Sequence, residues 1–382
     1  MTKPYIQRLN PNLLEAQLQA LKTDPQGIKI IKKKSHDFVF KIFSLPLSAM
    51  HILKQEALSV GADLATPKDA ILCRKTHYDS ILLGSFSQLS RIVQKCLIQP
   101  FGLKEIAQII KKHINAQAAH PPKLMAILNL TPDSFFEGSR FSWQEALQTI
   151  RNYIELGIPI IDIGGASSRP TSDLISPEDE LNRLKDLILL IFNEGLNEKV
   201  SLSIDTYNPE VADFALSYGF EILNDILGFR DPLMIETCAK HQATAILMHS
   251  RGTPKTMQTL TNYKNLFQEI DLFFEEKIAE LHENGISKII LDIGFGFAKE
   301  KEHNLSLIQN LMHFKHFSLP LLVGASRKNT IGILTKQPIE KRLSGTLALH
   351  QIALHNGANI LRIHDVQEHL DMLKIHEAME SI

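Results

Sequence analysis

Asp205, Asn224 and Asp292 each stand at the end of a run of apolar residues. Two carboxylates and an amide suit the edge of a flat ligand rich in N–H donors, as a carboxylate suits guanidinium. Arg362 and His364 lie two apart, so on a strand they point the same way. With Lys328 they can hold a polyanion or stack over a ring. Asn129, followed by Thr131, Pro132, Asp133 and Ser134, offers oxygen to a hard cation, which beside a phosphate usually means Mg²⁺. Taken together, these types point to a heteroaromatic ligand with a phosphate-type leaving group. Singly, each has a plainer reading: Asp162 and Asp365 suit helix N-caps, and His249 suits a hydrogen-bonded core position. Collected on one rim, so many ionisable groups are harder to explain as structure alone.

What must position them is a repeated strand–loop–helix unit. The stretch 125–141, MAILNLTPDSFFEGSRF, runs from apolar residues into turn chemistry, as a buried parallel strand emptying into a functional loop does. Ser142 to Gly157 then has helical spacing, with Trp143, Ala146, Leu147, Ile150, Ile154 and Leu156 expected inside. The pattern repeats eight times. Strands are expected at 124–129, 158–163, 200–205, 221–224, 244–248, 288–292, 319–323 and 359–363. The clearest intervening helices are 181–192, 266–283 and 344–355. Eight alternations over 124–382 match the ~250 residues of a (β/α)8 TIM barrel, whose chemistry sits at the C-terminal ends of its strands. An open doubly wound sheet usually has fewer strands and a glycine fingerprint, and Gly294-Phe-Gly296 lacks the third glycine.

Residues 1–118 read as a separate small α+β domain. Strands are expected at 28–31, 38–43, 70–73 and 80–83, and helices at 48–60, 87–97 and 103–114, with no catalytic spacing among them. The Ala/Pro-rich stretch around 119–123 reads as a linker, leaving 124–382 to the barrel. Lys+Arg 41 against Asp+Glu 42 gives no electrostatic footprint for nucleic acid or an anionic membrane. Three scattered cysteines without a CxxC argue against a disulfide scaffold or zinc site. The N-terminus lacks a signal-peptide core, and no run approaches the ~20 apolar residues of a membrane span, so a cytoplasmic protein is expected.

Eight stretches resemble the dihydropteroate synthase family, in its order and at its strands. They are ILNLTPDSF (127–135), DIGGASSRP (162–170), SIDT (203–206), LND (223–225), LMHSRGTPKTMQ (247–258), DIGFGFAK (292–299), GASRKNTIG (324–332) and RIHDV (362–366). The resemblance spans the whole barrel and implies the same TIM-barrel fold. It implies a transferase joining 4-aminobenzoate to (7,8-dihydropterin-6-yl)methyl diphosphate, which yields 7,8-dihydropteroate and pyrophosphate in folate synthesis. By match to its motifs, Ser168, Asp205, Asn224, Met248, Asp292 and Lys328 would bind the pterin, and Arg362 would stack over it. Arg362 and His364 would bind the diphosphate, and Asn129 would ligate Mg²⁺. Ser168, Arg169, Pro170 and Asn329 would contact 4-aminobenzoate, where sulfonamides that mimic it compete. Glu137, Lys328, Arg362 and His364 are the implied catalytic residues.

The departures from the family pattern concentrate on the second substrate. Glu137-Gly138-Ser139 stands where Asp-Gly-Gly is usual, Ser168 replaces Thr, and Asn329 replaces a Ser. Ile293 replaces a Pro and Ala298 a Gly. Two rival readings share the pterin grip. A pterin-dependent methyltransferase would lack the Ser-Ser-Arg-Pro loop, the Ser-Arg-Lys loop and the Arg-x-His pair. A non-catalytic pterin-binding barrel would tolerate Glu137 and Asn329. The family often dimerises through its last helices, so a homodimer is expected.

Overall fold

The structure is a computed structural model that describes residues 14–21, 24–35, 37–116, 121–130, 140–166 and 174–380. The chain divides into two compact units, Met1–Gln117 with His376–Ile382, and Ala118–Ile375.

The first unit begins with α1 (Leu14–Ala20) and α2 (Pro25–Ser35). There follow β1 (Asp37–Pro46), α3 (Leu47–Ser59), β2 (Asp63–Ala65), β3 (His77–Ser85), α4 (Phe86–Cys96) and α5 (Leu103–Ile114). The strands form an antiparallel sheet in the order β1-β3-β2. Along β3, Tyr78, Ser80 and Leu82 are buried and alternate with exposed residues, the period-two signature of a half-buried strand. Leu45, Met50, Leu53, Leu82, Leu89 and Ile92 anchor the core between sheet and helices. Two expected strands are corrected. Residues 28–31 lie inside α2, because Asp24 Oδ1 accepts the N–H groups of Gln26 (2.8 Å) and Gly27 (3.2 Å) and Pro25 opens the helix. Residues 70–73 form one 3₁₀ turn that ends with Cys73 at φ 52°.

The second unit is the expected barrel. Its strands are β4 (Lys123–Asn129), β5 (Ile160–Gly164), β6 (Ser201–Asp205), β7 (Ile222–Asp225), β8 (Thr244–Met248), β9 (Ile289–Asp292), β10 (Leu321–Val323) and β11 (Ile360–Ile363). All eight pair in parallel and close as β10-β11-β4-β5-β6-β7-β8-β9. Between them run α6 (Arg140–Glu155), α7 (Pro177–Asn193), α8 (Pro209–Ser217), α9 (Pro232–Lys240), α10 (Leu266–Glu283), α11 (Lys301–Gln309), α12 (Asn329–Thr335) and α13 (Leu343–His355). The last helix is α14 (Val366–Glu380). Leu156, expected inside, is exposed past the end of α6. No helix among the described residues is long and apolar enough to cross a membrane.

Strand alternation sorts the barrel residues into two cores. Leu124, Ile161, Leu202, Leu223, Leu247, Leu291, Val323 and Leu361 pack outward against the helices. Met125, Ile160, Ile222, Ile246, Ile290, Leu322 and Ile360 form a separate apolar plug inside the ring. Burying each such side chain contributes about 1.5–3 kcal/mol. One pleat period above that plug, the interior changes character.

Candidate active site

Two residues on from Ile160, Ile222, Ile246, Ile290 and Ile360 stand Asp162, Asn224, Met248, Asp292 and Arg362. Because side chains repeat every second residue on a strand, these five share the inner face with the plug and lie one layer nearer the C-terminal mouth. Asn129, Asp205 and His364 follow one further step along, on β4, β6 and just beyond β11. The register sets Asn129 beside Gly164, Gly164 beside Asp205, and Asp205 beside Asn224.

Arg362 reaches across this layer. Its guanidinium bonds Asp162 Oδ2 at 2.6 Å and also pairs with Asp205. Asn224 Nδ2 donates to the same Asp162 oxygen at 3.2 Å, and Asp162 Oδ1 is buried without a partner. Two carboxylates on one guanidinium leave a net negative charge in a dry place. Burial pushes Asp205 up to about 7, against the pull of Arg362 and with the repulsion of Asp162. Burial alone would discharge Arg362, but Asp162, Asp205 and Asp292 override it and hold its charge firmly.

Asp292 and Lys328 form the opposite side. Asp292 Oδ1 accepts the N–H of Gly294 at 2.8 Å, and burial raises its pKa although Lys328 opposes the shift. Lys328 donates to the Phe295 carbonyl and lies 4.4 Å over the Phe297 ring. Burial lowers it to about 8, with Asp292 resisting. Met248 belongs to a small apolar cluster with Tyr207, Ile226, Met257, Phe297 and Ala298, which makes one greasy wall beside the polar layer. His364 Nδ1 lies 3.0 Å from Ser326 Oγ at the open rim. Desolvation by the concave rim and the charges of Arg362 and Arg327 push it down to about 4, so its ring is neutral at pH 7. Asp365 pairs with Arg327, whose Nε donates to it at 3.0 Å.

The described part of the predicted site comes together. Asp205, Asn224, Met248, Asp292, Lys328, Arg362 and His364 share the mouth, while Asn329 is exposed at the start of α12. Glu137, Ser168, Arg169 and Pro170 lie outside the described residues. Asn129 fits a hard cation: its Oδ1 lies at the rim, where a Cβ on Gly164 would come within 3.4 Å of it and 3.2 Å of Asp205 Cβ. The missing side chain leaves space beside that amide oxygen, a hard donor of the type Mg²⁺ accepts. A groove of about 320 Å³ between α6 and α7, around Trp143 and Leu190, lies on the outside of the barrel and includes none of these residues.

Two elements of the site are not evident from sequence. Asp162 is a central acceptor within β5, not an N-cap; its signal is an Asp inside an otherwise apolar strand. Lys299 is fully buried. Its Nζ lies 3.0 Å from His249 Nδ1 and 3.0–3.2 Å from the carbonyls of Phe297, Gly294 and His249. It staples the loop after β9 to the end of β8. Burial lowers it to about 7 and lowers His249 as well. The approach is so close that Gly294, at φ 63°, has no room for a side chain: a Cβ would sit 1.9 Å from the His249 oxygen.

Residues 125–364 match the family of pterin binding enzymes. Over 375 residues, 98% of this chain and 99% of the relative, the sequence is 50% identical to the bifunctional dihydropteroate synthase/dihydropteroate reductase of Helicobacter pylori. The dihydropteroate synthase of Escherichia coli K12 is 42% identical over 67% of this chain and 91% of its own. The solved structure of the Xanthomonas albilineans dihydropteroate synthase with 4-aminobenzoic acid covers 68% of this chain and 94% of its own, at 32% identity and a TM-score of 0.62. The chain belongs to the pterin-binding enzyme family. Within it, this barrel has the dihydropteroate synthase activity, a transfer reaction of folate biosynthesis.

Proposed function

We propose that the polar layer above the barrel plug is the pterin seat, with the leaving group held at its β10–β11 side. The observation that carries this is the convergence of Asp162, Asp205, Asn224, Asp292 and Lys328 around one buried spot with Met248 as an apolar wall. Carboxylates and an amide there accept from the amino and ring N–H groups of a pterin, and Lys328 meets its acceptor atoms. For Asp205 to do so, Arg362 leaves it and lies over the ring, still close to Asp162. From there Arg362, with His364 and Lys328, stabilises the departing diphosphate.

The bond that breaks joins carbon to a diphosphate oxygen, and the cation left behind delocalises into the dihydropterin. The reaction is then dissociative (SN1-like): positioning of the arylamine and stabilisation of the leaving charge supply the catalysis. An arylamine is unprotonated at neutral pH, so no strong general base is needed. Mg²⁺, held through Asn129, would neutralise diphosphate charge when bound. Ser168, Arg169, Pro170 and Asn329 are assigned to 4-aminobenzoate, and Glu137 to the loop that closes over it. Pyrophosphate release measured with and without 4-aminobenzoate tests the reading. Release that requires the amine supports it; release without amine, or none with both substrates, contradicts it.

A second activity is favoured by one observation. The relative that matches from end to end is bifunctional, whereas the single-function synthase aligns with about two thirds of this chain. We infer that this chain also reduces 7,8-dihydropteroate, adding two electrons and two protons across its remaining reducible C=N bond. The electrons come from a reduced nicotinamide or flavin donor, and the first unit is required. Loss of dihydropteroate absorbance with either donor and the full chain tests this; no consumption with both contradicts it. A homodimer through α12 and α13 is also proposed, supported by the exposure of Ile333, Leu334 and Ile352.

A further inference from the structure

His350 on α13 and His369 on α14 are fully buried, and no reaction step above uses them. The backbone N–H of Ala325 donates to His350 Nε2 at 3.1 Å. His350 Nδ1 and His369 Nε2 are 2.8 Å apart, and His369 Nδ1 lies 2.5 Å from the Asp365 carbonyl oxygen. The two ends of this chain of contacts fix every proton in it. A backbone N–H only donates, so His350 Nε2 is bare and its proton is on Nδ1. A carbonyl only accepts, so His369 also carries its proton on Nδ1 and presents a bare Nε2. The middle contact then closes correctly, with His350 Nδ1–H donating to His369 Nε2. A further proton has no place, since on either bare nitrogen it would meet another N–H. Burial first, then the neighbouring His369 and the charge of Lys328, hold that ring neutral. Asp365 and Glu368 beside His369 favour its charged form without overcoming burial.

What the pair joins gives it a role. Ala325 opens the turn that carries Ser326, Arg327 and Lys328, and its carbonyl accepts the Lys328 N–H at 3.2 Å. Arg327 sits in that turn at φ 55°, a conformation that costs a side-chain-bearing residue energy and needs holding. Asp365 directly follows His364. The Ser326–His364 and Arg327–Asp365 bonds link the same two turns directly. The histidines add a link through the backbone.

We propose that His350 and His369 are positioning residues for the synthase reaction, a pair of tautomer-locked neutral imidazoles that sets Lys328 and His364 at the separation the diphosphate requires. The proposal rests on the reading of those two residues as leaving-group ligands. Neither histidine touches substrate; both act through the backbone of Ala325 and Asp365.

The test uses full-length protein labelled with ¹⁵N-histidine, the two rings being assigned by H350Q and H369Q. Without substrate, both rings are expected as the Nδ1–H tautomer, uncharged at pH 7. In steady state, H369F is expected to raise KM for the pterin diphosphate about tenfold, since small misplacements at a reacting centre are costly, and to leave KM for 4-aminobenzoate unchanged. H350Q, whose amide can accept from Ala325 and donate to His369, is expected to stay near wild type. An Nε2–H tautomer or a charged ring at pH 7 overturns the proposal, including when H369F fails to fold. A folded H369F with unchanged constants, or with both KM values raised alike, overturns it too. Normal turnover in Lys328→Ala and His364→Ala would instead sink the leaving-group reading, which the substrate-free tautomer measurement does not involve.

Discussion

Arg362 meets several competing demands at once. It pairs with both Asp162 and Asp205, and both carboxylates are too buried to stand unpaired. Arg362→Ala is therefore expected to lower turnover by about a hundredfold or more, the scale of losing one charge-stabilising group, and His364→Ala to lower it less. Steady-state rates at saturating substrate check both. Asp292→Asn is expected to weaken pterin diphosphate binding by about 1.5–3 kcal/mol, the worth of a hydrogen bond to a charged group, in a direct titration. The site also predicts a pH limb. Asp205 must be ionised to accept from pterin N–H groups, and in the free protein burial holds its pKa at about 7. So kcat/KM for the pterin diphosphate, which reports the free enzyme, should fall as pH drops below about 7. A flat profile from pH 8 to 5.5 would remove Asp205 from the ligand set. At this scale the sequence exposed much. Asp205, Asn224, Asp292 and Arg362 were legible because each polar residue breaks an apolar strand. Asp162 was not, because the glycines after it imitate a helix entry. Lys299 was not either, since nothing in a Phe-Ala-Lys-Glu run announces a buried lysine.

At the scale of elements, the barrel strands stand within two residues of where the apolar runs place them. A run buried on both faces has sharp ends, and Asn129, Asp205, Asp225 and Asp292 mark four of them here. The first unit was less legible. Its short apolar segments fit strand or turn equally, and the capping by Asp24 that makes 25–35 helical is a local signal outweighed by Ile28, Ile30 and Ile31. The loop after β9 gives a sharp steric prediction. Gly294→Ala would force a Cβ into the His249 carbonyl at a left-handed φ, with an expected loss of about 3 kcal/mol in denaturant unfolding. The buried histidine pair gives an electrostatic one. Both rings have lowered pKa values in the folded chain, so below about pH 6.5 the unfolded chain binds protons that the folded one refuses. That contribution is fully present above this pH and is lost as pH falls. Replacing both residues by Gln should flatten the acid side of the stability profile by up to about two protons' worth of slope. The pair itself could not be read from sequence, because residues 19 apart on consecutive helices meet only through the fold between them.

At the scale of the whole molecule, the synthase machinery described here lies within the second unit. A chain lacking residues 1–117 is expected to keep amine-dependent pyrophosphate release and to lose dihydropteroate reduction. Loss of both activities in a folded truncation would show that the units do not divide the work this way. The Ala/Pro-rich polar stretch at 119–123 stands beside the division between residues 117 and 118, whereas nothing in composition groups 376–382 with the first unit rather than with the barrel. The role of the first unit was not legible, because its residues form a packed core without chemical spacing. The most direct test of the central claim is a crystal structure of the full chain with a dihydropterin diphosphate bound. The account predicts the ring in the layer above Ile222 and Ile290, bonded to Asp205, Asn224 and Asp292, with Arg362 moved off Asp205 and the diphosphate between Arg362 and His364. A ring bound elsewhere, or Arg362 still joined to both Asp162 and Asp205 beneath a bound ligand, would contradict it.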